Sequence, residues 1–117
     1  MELKHLSDSL SVGPQIALGD LPAIRAAGFG GIIVARPDGE DAGQPDFATV
    51  KAAAEREGLA VLHVPVVPGQ IAPGDVAAFA AALDALPQPV LAYCRSGARA
   101  ASLWSAVQAV KPPAPAA

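Results

Sequence analysis

A single cysteine stands among the 117 residues, so no disulfide can form within the chain and the lone thiol is free for packing or chemistry. Aromatic side chains are scarce, with one Trp, one Tyr and three Phe. The core must therefore be closely packed from Ile, Leu, Val and many of the 27 alanines. Basic residues number 8 against 11 acidic ones, for a formal charge of −3 at pH 7, which argues against general affinity for nucleic acid. No apolar run approaches the roughly 18 residues that a membrane helix needs, because the alanine-rich segments are broken by charges, Gly or Pro. One cysteine and two widely separated histidines cannot supply a zinc site, and no glycine pattern resembles a nucleotide-binding fingerprint. Neither a metal nor a cofactor is expected. Residues 1–10 carry Glu2, Lys4, His5 and Asp8 and lack the apolar centre and cleavage site of a signal peptide. With the free cysteine, this makes the cytoplasm the expected compartment.

What is present alternates in type. Residues 30–35, 60–65 and 89–93 are short apolar runs rich in β-branched residues and bounded by Gly or Pro, which reads as buried strands of a parallel sheet. Residues 21–27, 47–57, 73–86 and 98–110 have helical character. Gly28 and Gly58 stand where a left-handed helix cap wants glycine, and Asp46 precedes Phe47 as an N-cap. A strand at residues 15–18 would open a β-α-β-α-β-α-β-α order. The expected fold class is a small three-layer α/β domain with a mainly parallel sheet of four or five strands. Residues 1–110 form one domain in this reading, and residues 111–117, with three prolines, form a flexible Pro/Ala tail. The loop over residues 36–45, holding Asp38, Glu40, Asp41 and two glycines, is long for so small a domain, and such loops are more often functional than idle.

The densest chemical signal is Tyr93-Cys94-Arg95-Ser96-Gly97-Ala98-Arg99, between the last strand and the last helix. A turn of this kind aims successive backbone N–H groups at one point, and the helix dipole adds positive potential there. An anion would sit in that cup, held by the loop segment Arg95, Ser96, Gly97 and Ala98 and by the Arg99 side chain. A thiol at its centre is stabilised as the thiolate, which makes Cys94 a nucleophile. A buried cysteine is more often mere packing, but packing gives no reason for two arginines, a serine and a glycine in the next five positions. On the earlier loop, Arg36 could contact an anionic ligand and Asp38 orient it. The plainer alternative is that Pro37-Asp38-Gly39 is ordinary turn chemistry and Arg36 balances the acidic loop. His63, on a buried strand, reads as a hydrogen-bonded core residue rather than a base.

Cys-Arg-Ser-Gly-x-Arg after a strand ending in Tyr resembles the active loop of rhodanese-type sulfurtransferases. Over residues 2 to 110 the chain also resembles a bacterial family described variously as beta-lactamase-hydrolase-like phosphatase or as sulfur transferase. The residues that carry this are Leu10 to Ile16, Arg36-Pro37-Asp38-Gly39-Glu40, Gly43-Gln44-Pro45, His63-Val64-Pro65-Val66 and the Cys94 loop. The resemblance implies a fold like that of the dual-specificity cysteine phosphatases. It also implies that related domains can be fused to a metallo-beta-lactamase-like hydrolase, here expected as a separate polypeptide.

Two chemistries compete. Cysteine phosphatases resemble one another in a Cys-x5-Arg loop, which would put arginine at position 100, where Ala100 stands; Arg99 gives Cys-x4-Arg, the spacing that resembles rhodaneses. Dual-specificity phosphatases also carry an Asp, as general acid, in the region matching residues 66–70, and Val66-Val67-Pro68-Gly69-Gln70 has no carboxylate. These departures favour a sulfurtransferase that takes sulfane sulfur from a small anionic donor to a thiol acceptor or cyanide through a Cys94 persulfide. The alternatives are a phosphatase working through a phosphocysteine, and a non-catalytic domain that binds an anion or partner.

Overall fold

The computed structural model describes residues 2–110. The tail expected over residues 111–117 lies outside the described residues. The chain forms β1 (Lys4–Ser7), β2 (Leu10–Gly13), a 3-10 turn (Leu18–Asp20), α1 (Leu21–Ala26), β3 (Gly31–Val34), α2 (Phe47–Arg56), β4 (Ala60–His63), α3 (Pro73–Ala85), β5 (Val90–Tyr93) and α4 (Ala98–Val110). The strands make one sheet in the order β1-β2-β5-β3-β4, parallel except for the antiparallel edge pair β1 and β2. Among the described residues, no helix is long and apolar enough to cross a membrane.

Period-two alternation along the central strands divides the core into two layers. Ile33, Ala35, Val90, Ala92 and Cys94 face the side that packs against Phe79 of α3 and Leu103 and Val107 of α4. Ile32, Val34, Leu91 and Tyr93 face the other side, against Ile24 of α1 and Val50 of α2. Burying each such Ile or Leu contributes about 1.5–3 kcal/mol, and together they make the three-layer α/β architecture that the alternating sequence predicts. Cys94 and Tyr93, neighbours in sequence, thus lie on opposite faces of the sheet.

The amino-terminal part differs from expectation. Residues 15–18 are not the opening strand; that place belongs to β2, paired through Gly13 to Tyr93, with β1 folded back along it. The cause is local. Pro14 has no N–H for a ladder, and past it Gln15 donates its backbone N–H to Arg95 O (3.3 Å), while Ala17 donates its own to the Asp20 carboxylate (2.8 Å). Residues 15–18 therefore wrap the carboxyl edge of the sheet instead of extending it.

The helix boundaries follow chemistry legible in the chain. Asp46 Oδ1 accepts from Thr49 N–H at 2.8 Å, as an N-cap does, and hydrogen bonding from Thr49, its side chain first and its backbone N–H second, holds the Asp46 carboxyl below the usual carboxylate range. At the other end of the sheet, the segment at Leu86 and Pro87 crosses the start of β3 so closely that a Cβ on Gly31 would lie 2.8 Å from Leu86 Cβ. Gly31→Ala should therefore destabilise the fold by about 1–3 kcal/mol through overpacking. The measurement is the chemical-denaturation midpoint, and an unchanged midpoint would show that this crossing yields freely.

Candidate active site

The carboxyl ends of β2, β3 and β5 converge on one rim, and the loop from Cys94 to Arg99 spans it from β5 to α4. Its entry is pinned by Cys94 N–H donating to Gly13 O (3.3 Å), and α4 begins with Ala101 N–H donating to Gly97 O (3.0 Å). Gly97 sits at φ +94°, and an added Cβ would lie 3.3 Å from the carbonyl carbon of Gly13. Both the backbone angle and the close approach to β2 require glycine there. The result is a tight turn in which Gly97 N–H donates to Cys94 Sγ at 3.0 Å. Cys94 is 1% exposed. Ser96 Oγ accepts from Ala98 N–H at 3.3 Å, which braces the outer side of the same turn.

Arg99, 9% exposed, leads from α4 back toward the loop over residues 36–45. Its Nη1 donates to Glu40 Oε2 (2.7 Å) and to Val66 O (2.8 Å), and its Nη2 donates to Glu40 Oε1 (2.8 Å). This is a bidentate pairing, the strong geometry for a guanidinium and a carboxylate. Glu40 Oε1 also accepts from Arg36 Nε at 2.9 Å. The Arg99 guanidinium beside it, helped by Arg36, holds the Glu40 carboxyl below its ordinary range against the opposing effect of burial.

Arg36 and Asp38, weighed from sequence between ligand contact and a structural part, both contact protein groups here. Arg36 is 1% exposed, and besides Glu40 it donates through Nη1 to Gln15 Oε1 (2.8 Å) and through Nη2 to Asp41 Oδ2 (2.8 Å). Burial opposes its charge, but the bonds to Asp41 and Glu40 outweigh it and raise its pKa. All three guanidinium nitrogens are thus committed to the protein, closest to the plainer alternative of a cation balancing the acidic loop. Asp38 Oδ1 accepts from Phe47 N–H (2.8 Å), which ties the loop to the first turn of α2. His63 Nε2 lies 2.9 Å from Arg36 O, and its ring stacks on Phe47 at 4.5 Å between centroids. Both contacts fix the same loop from beneath.

Arg95 is the exposed cation of the set, with Nε 3.3 Å from Asp41 Oδ2. It stands between two clefts. One, of about 410 Å³, is walled by Pro68, Gly69, Ile71, Ser96, Arg99 and Ser102. The other, of about 620 Å³, lies toward Gln15, Leu18, Gly43 and Pro45. Tyr93 is buried on the opposite face of the sheet, and burial pushes its hydroxyl up to about 12. No cluster of metal-ligating side chains occurs among the described residues.

Sequence reasoning noted Glu40 only as one acid of a long loop and missed it as the partner of Arg99; it also missed Gln15 and the Val66 carbonyl. Only one signal was available in the chain. Two arginines near an apolar sheet rim demand counterions, and the acidic loop was the nearest supply.

The arrangement is a tight turn from a parallel strand into a helix, with a buried cysteine at its entry and an arginine at its helical end. The family model described as beta-lactamase hydrolase-like protein, phosphatase-like domain, matches residues 2–111. The chain belongs to this family. It is 36% identical over 104 residues to a beta-lactamase hydrolase-like protein of Agrobacterium fabrum, covering 89% of this chain and 24% of that protein. A protein of the same description from Xylella fastidiosa is 34% identical over 105 residues, with 90% of this chain and 24% of that protein covered. The chain thus spans about a quarter of the length of these curated relatives. Among solved structures, a protein of Neisseria meningitidis described as a candidate phosphatase superposes with a TM-score of 0.84 at 38% identity, over 94% of this chain and 79% of that one. The core catalytic domain of a PP-IP phosphatase from S. cerevisiae superposes with a TM-score of 0.69 at 14% identity, over 92% and 64%, which shows a shared fold. The fold is cysteine-phosphatase-like, as expected.

Glu40 supplies a test of the rim. Its folded pKa is depressed, so its contribution to stability is present above the unfolded value near 4.5 and is lost as pH falls through the lower folded value. Glu40→Gln should cost about 1–3 kcal/mol at pH 7. It should also flatten the fall in thermal midpoint below pH 4.5. An acid limb identical to the parent's would remove Glu40 as the carboxylate that senses pH here.

Proposed function

We propose that this domain is a cysteine-dependent phosphatase that works through a phosphocysteine. Carrying this reading is the placement of Cys94 Sγ inside a strand-to-helix turn, with Gly97 N–H aimed at it and Arg99 at the start of α4. Membership of a phosphatase-like family and superposition on a candidate phosphatase at 38% identity support it. Sulfur transfer, the chemistry that the Cys-x4-Arg spacing favours from sequence, has no such support among the relatives, and phosphoryl transfer replaces it as the leading reading.

In this mechanism the Cys94 thiolate attacks phosphorus while Ser96, Gly97 and Ala98 line the cup with backbone and Arg95 approaches from solvent. Arg99 fixes the helical end of the loop and contributes positive potential. Its bidentate bond to Glu40 sets the direction of the guanidinium before any substrate arrives, the kind of preorganisation that makes electrostatic stabilisation effective.

Cys94→Ser should lower hydrolysis of an activated aryl phosphate by roughly 10⁴-fold or more while leaving the circular dichroism and thermal midpoint close to the parent's. Mass spectrometry of the acid-quenched parent should show an adduct of about 80 Da on Cys94 during turnover. A gain of about 32 Da after thiosulfate, with no phosphate adduct and no Cys94-dependent hydrolysis, would return the assignment to sulfur transfer.

A further inference from the structure

We propose, on the footing of the phosphatase reading, that the substrate carries its phosphoryl group on a leaving group that departs without a proton: an acyl phosphate, a phosphoanhydride or an activated aryl ester. The inference comes from following every carboxylate of the chain to its partners. All 11 acidic residues fall within the described part. Asp8, Glu55, Glu57 and Asp84 belong to the end of the sheet opposite Cys94, in the β1 to β2 turn and at the carboxyl ends of α2 and α3. Of those at the Cys94 end, Asp38 and Asp46 are committed to first-turn amides of α2. Asp20 accepts from Ala17 N–H and Asp75 from Ala72 N–H, each at 2.8 Å.

Glu40 and Asp41 are nearest in kind to a proton donor, and both are acceptors instead. Glu40 takes hydrogen bonds from Arg99 and Arg36, which hold it ionised. Asp41 Oδ2 faces Arg36 at 2.8 Å and Arg95 at 3.3 Å. A general acid must hold a proton at working pH and aim it at the departing oxygen. Glu2 lines a recess with Gly97 and Ala98 on the β1 side of the loop, away from the cleft whose walls are Pro68, Gly69 and Ile71. That cleft offers a leaving group apolar contact and the Ser96 and Ser102 hydroxyls, which are weak acids. Tyr93, the remaining acidic side chain near the loop, is sealed on the other face of the sheet.

The chemistry balances without an added acid. Sulfur forms a bond to phosphorus as the phosphorus–oxygen bond breaks, and the electron pair leaves on oxygen as an alkoxide, phenoxide, carboxylate or phosphate anion. Water then attacks the phosphocysteine, the pair of the phosphorus–sulfur bond returns to Cys94 as thiolate, and dihydrogen phosphate leaves carrying both protons of the water. The first step is fast only when the departing anion is a weak base.

The test is kcat/KM at pH 7 for a series of ring-substituted aryl phosphates, with acetyl phosphate, inorganic pyrophosphate and an alkyl phosphate beside it, and Cys94→Ser as the blank. The expected result is a fall of about tenfold for each unit rise in leaving-group pKa, with the alkyl phosphate inert. Acetyl phosphate and pyrophosphate, read against the aryl series, show which weakly basic leaving group the clefts prefer. A shallow Cys94-dependent series, with the alkyl phosphate also turned over, would overturn this inference while leaving the phosphatase reading in place. Absence of Cys94-dependent hydrolysis even for the most activated ester would overturn both.

Discussion

The shared carboxylate of Glu40 is the contact on which the rim of this domain depends. Two guanidinium groups lie almost out of water there, and an unpaired buried cation would cost several kcal/mol. Glu40 satisfies Arg99 with both oxygens and Arg36 with one, while Gln15 and Asp41 complete Arg36. Four remote segments are locked by this one network: the stretch after β2, the loop after β3, the segment after β4 and the start of α4. Among the described residues no buried side-chain nitrogen or oxygen is left without a partner. The loop around Cys94 thus inherits its rigidity from charges that need not touch a substrate.

The second constraint is the two-residue period of β5. It sends Tyr93 to the α1 and α2 face and Cys94 to the α3 and α4 face, so Tyr93 packs in one layer and Cys94 leads into the turn beside the other. Position 93 carries a phenol packed in the layer beneath, and the hydrogen bond to Cys94 Sγ comes from the backbone, through Gly97 N–H and the geometry that only glycine permits at φ +94°.

How much of this could be read from the chain follows from the range over which each feature is determined. β3, β4 and β5 are compact apolar runs bounded by Gly and Pro, α2 carries its own Asp46 cap, and the Cys94 loop is contiguous, so all were legible locally. The β1 and β2 pair was not, because Lys4–Ser7 is a polar edge strand and Leu10–Gly13, with Ser11 and Gly13, lacks an unbroken apolar run. The strand expected at residues 15–18 does not form although Ile16 is buried there, because Pro14 and the Asp20 carboxylate direct that segment around the sheet edge. The Arg99 to Glu40 pairing joins residues 59 apart, and nothing local in either segment names the other.

The Cys-x4-Arg spacing and the missing general acid pointed from sequence toward sulfur transfer, yet the structure accommodates both within a cysteine-phosphatase-like fold. With one residue fewer than the usual phosphatase loop, Arg99 starts α4 early, and its guanidinium reaches back to Glu40 and the Val66 carbonyl. The segment after β4 therefore contributes a backbone oxygen to the rim where a carboxylic side chain would otherwise be sought. An arginine anchored in this way supplies fixed positive potential and no proton. Sulfite, thiolate, carboxylate and phosphate share the property that such a site demands, since each departs as a stable anion. In the proposed reading the sequence features select the basicity of the leaving group, while the preference for phosphorus over sulfur as the atom attacked is supported by the family and the fold.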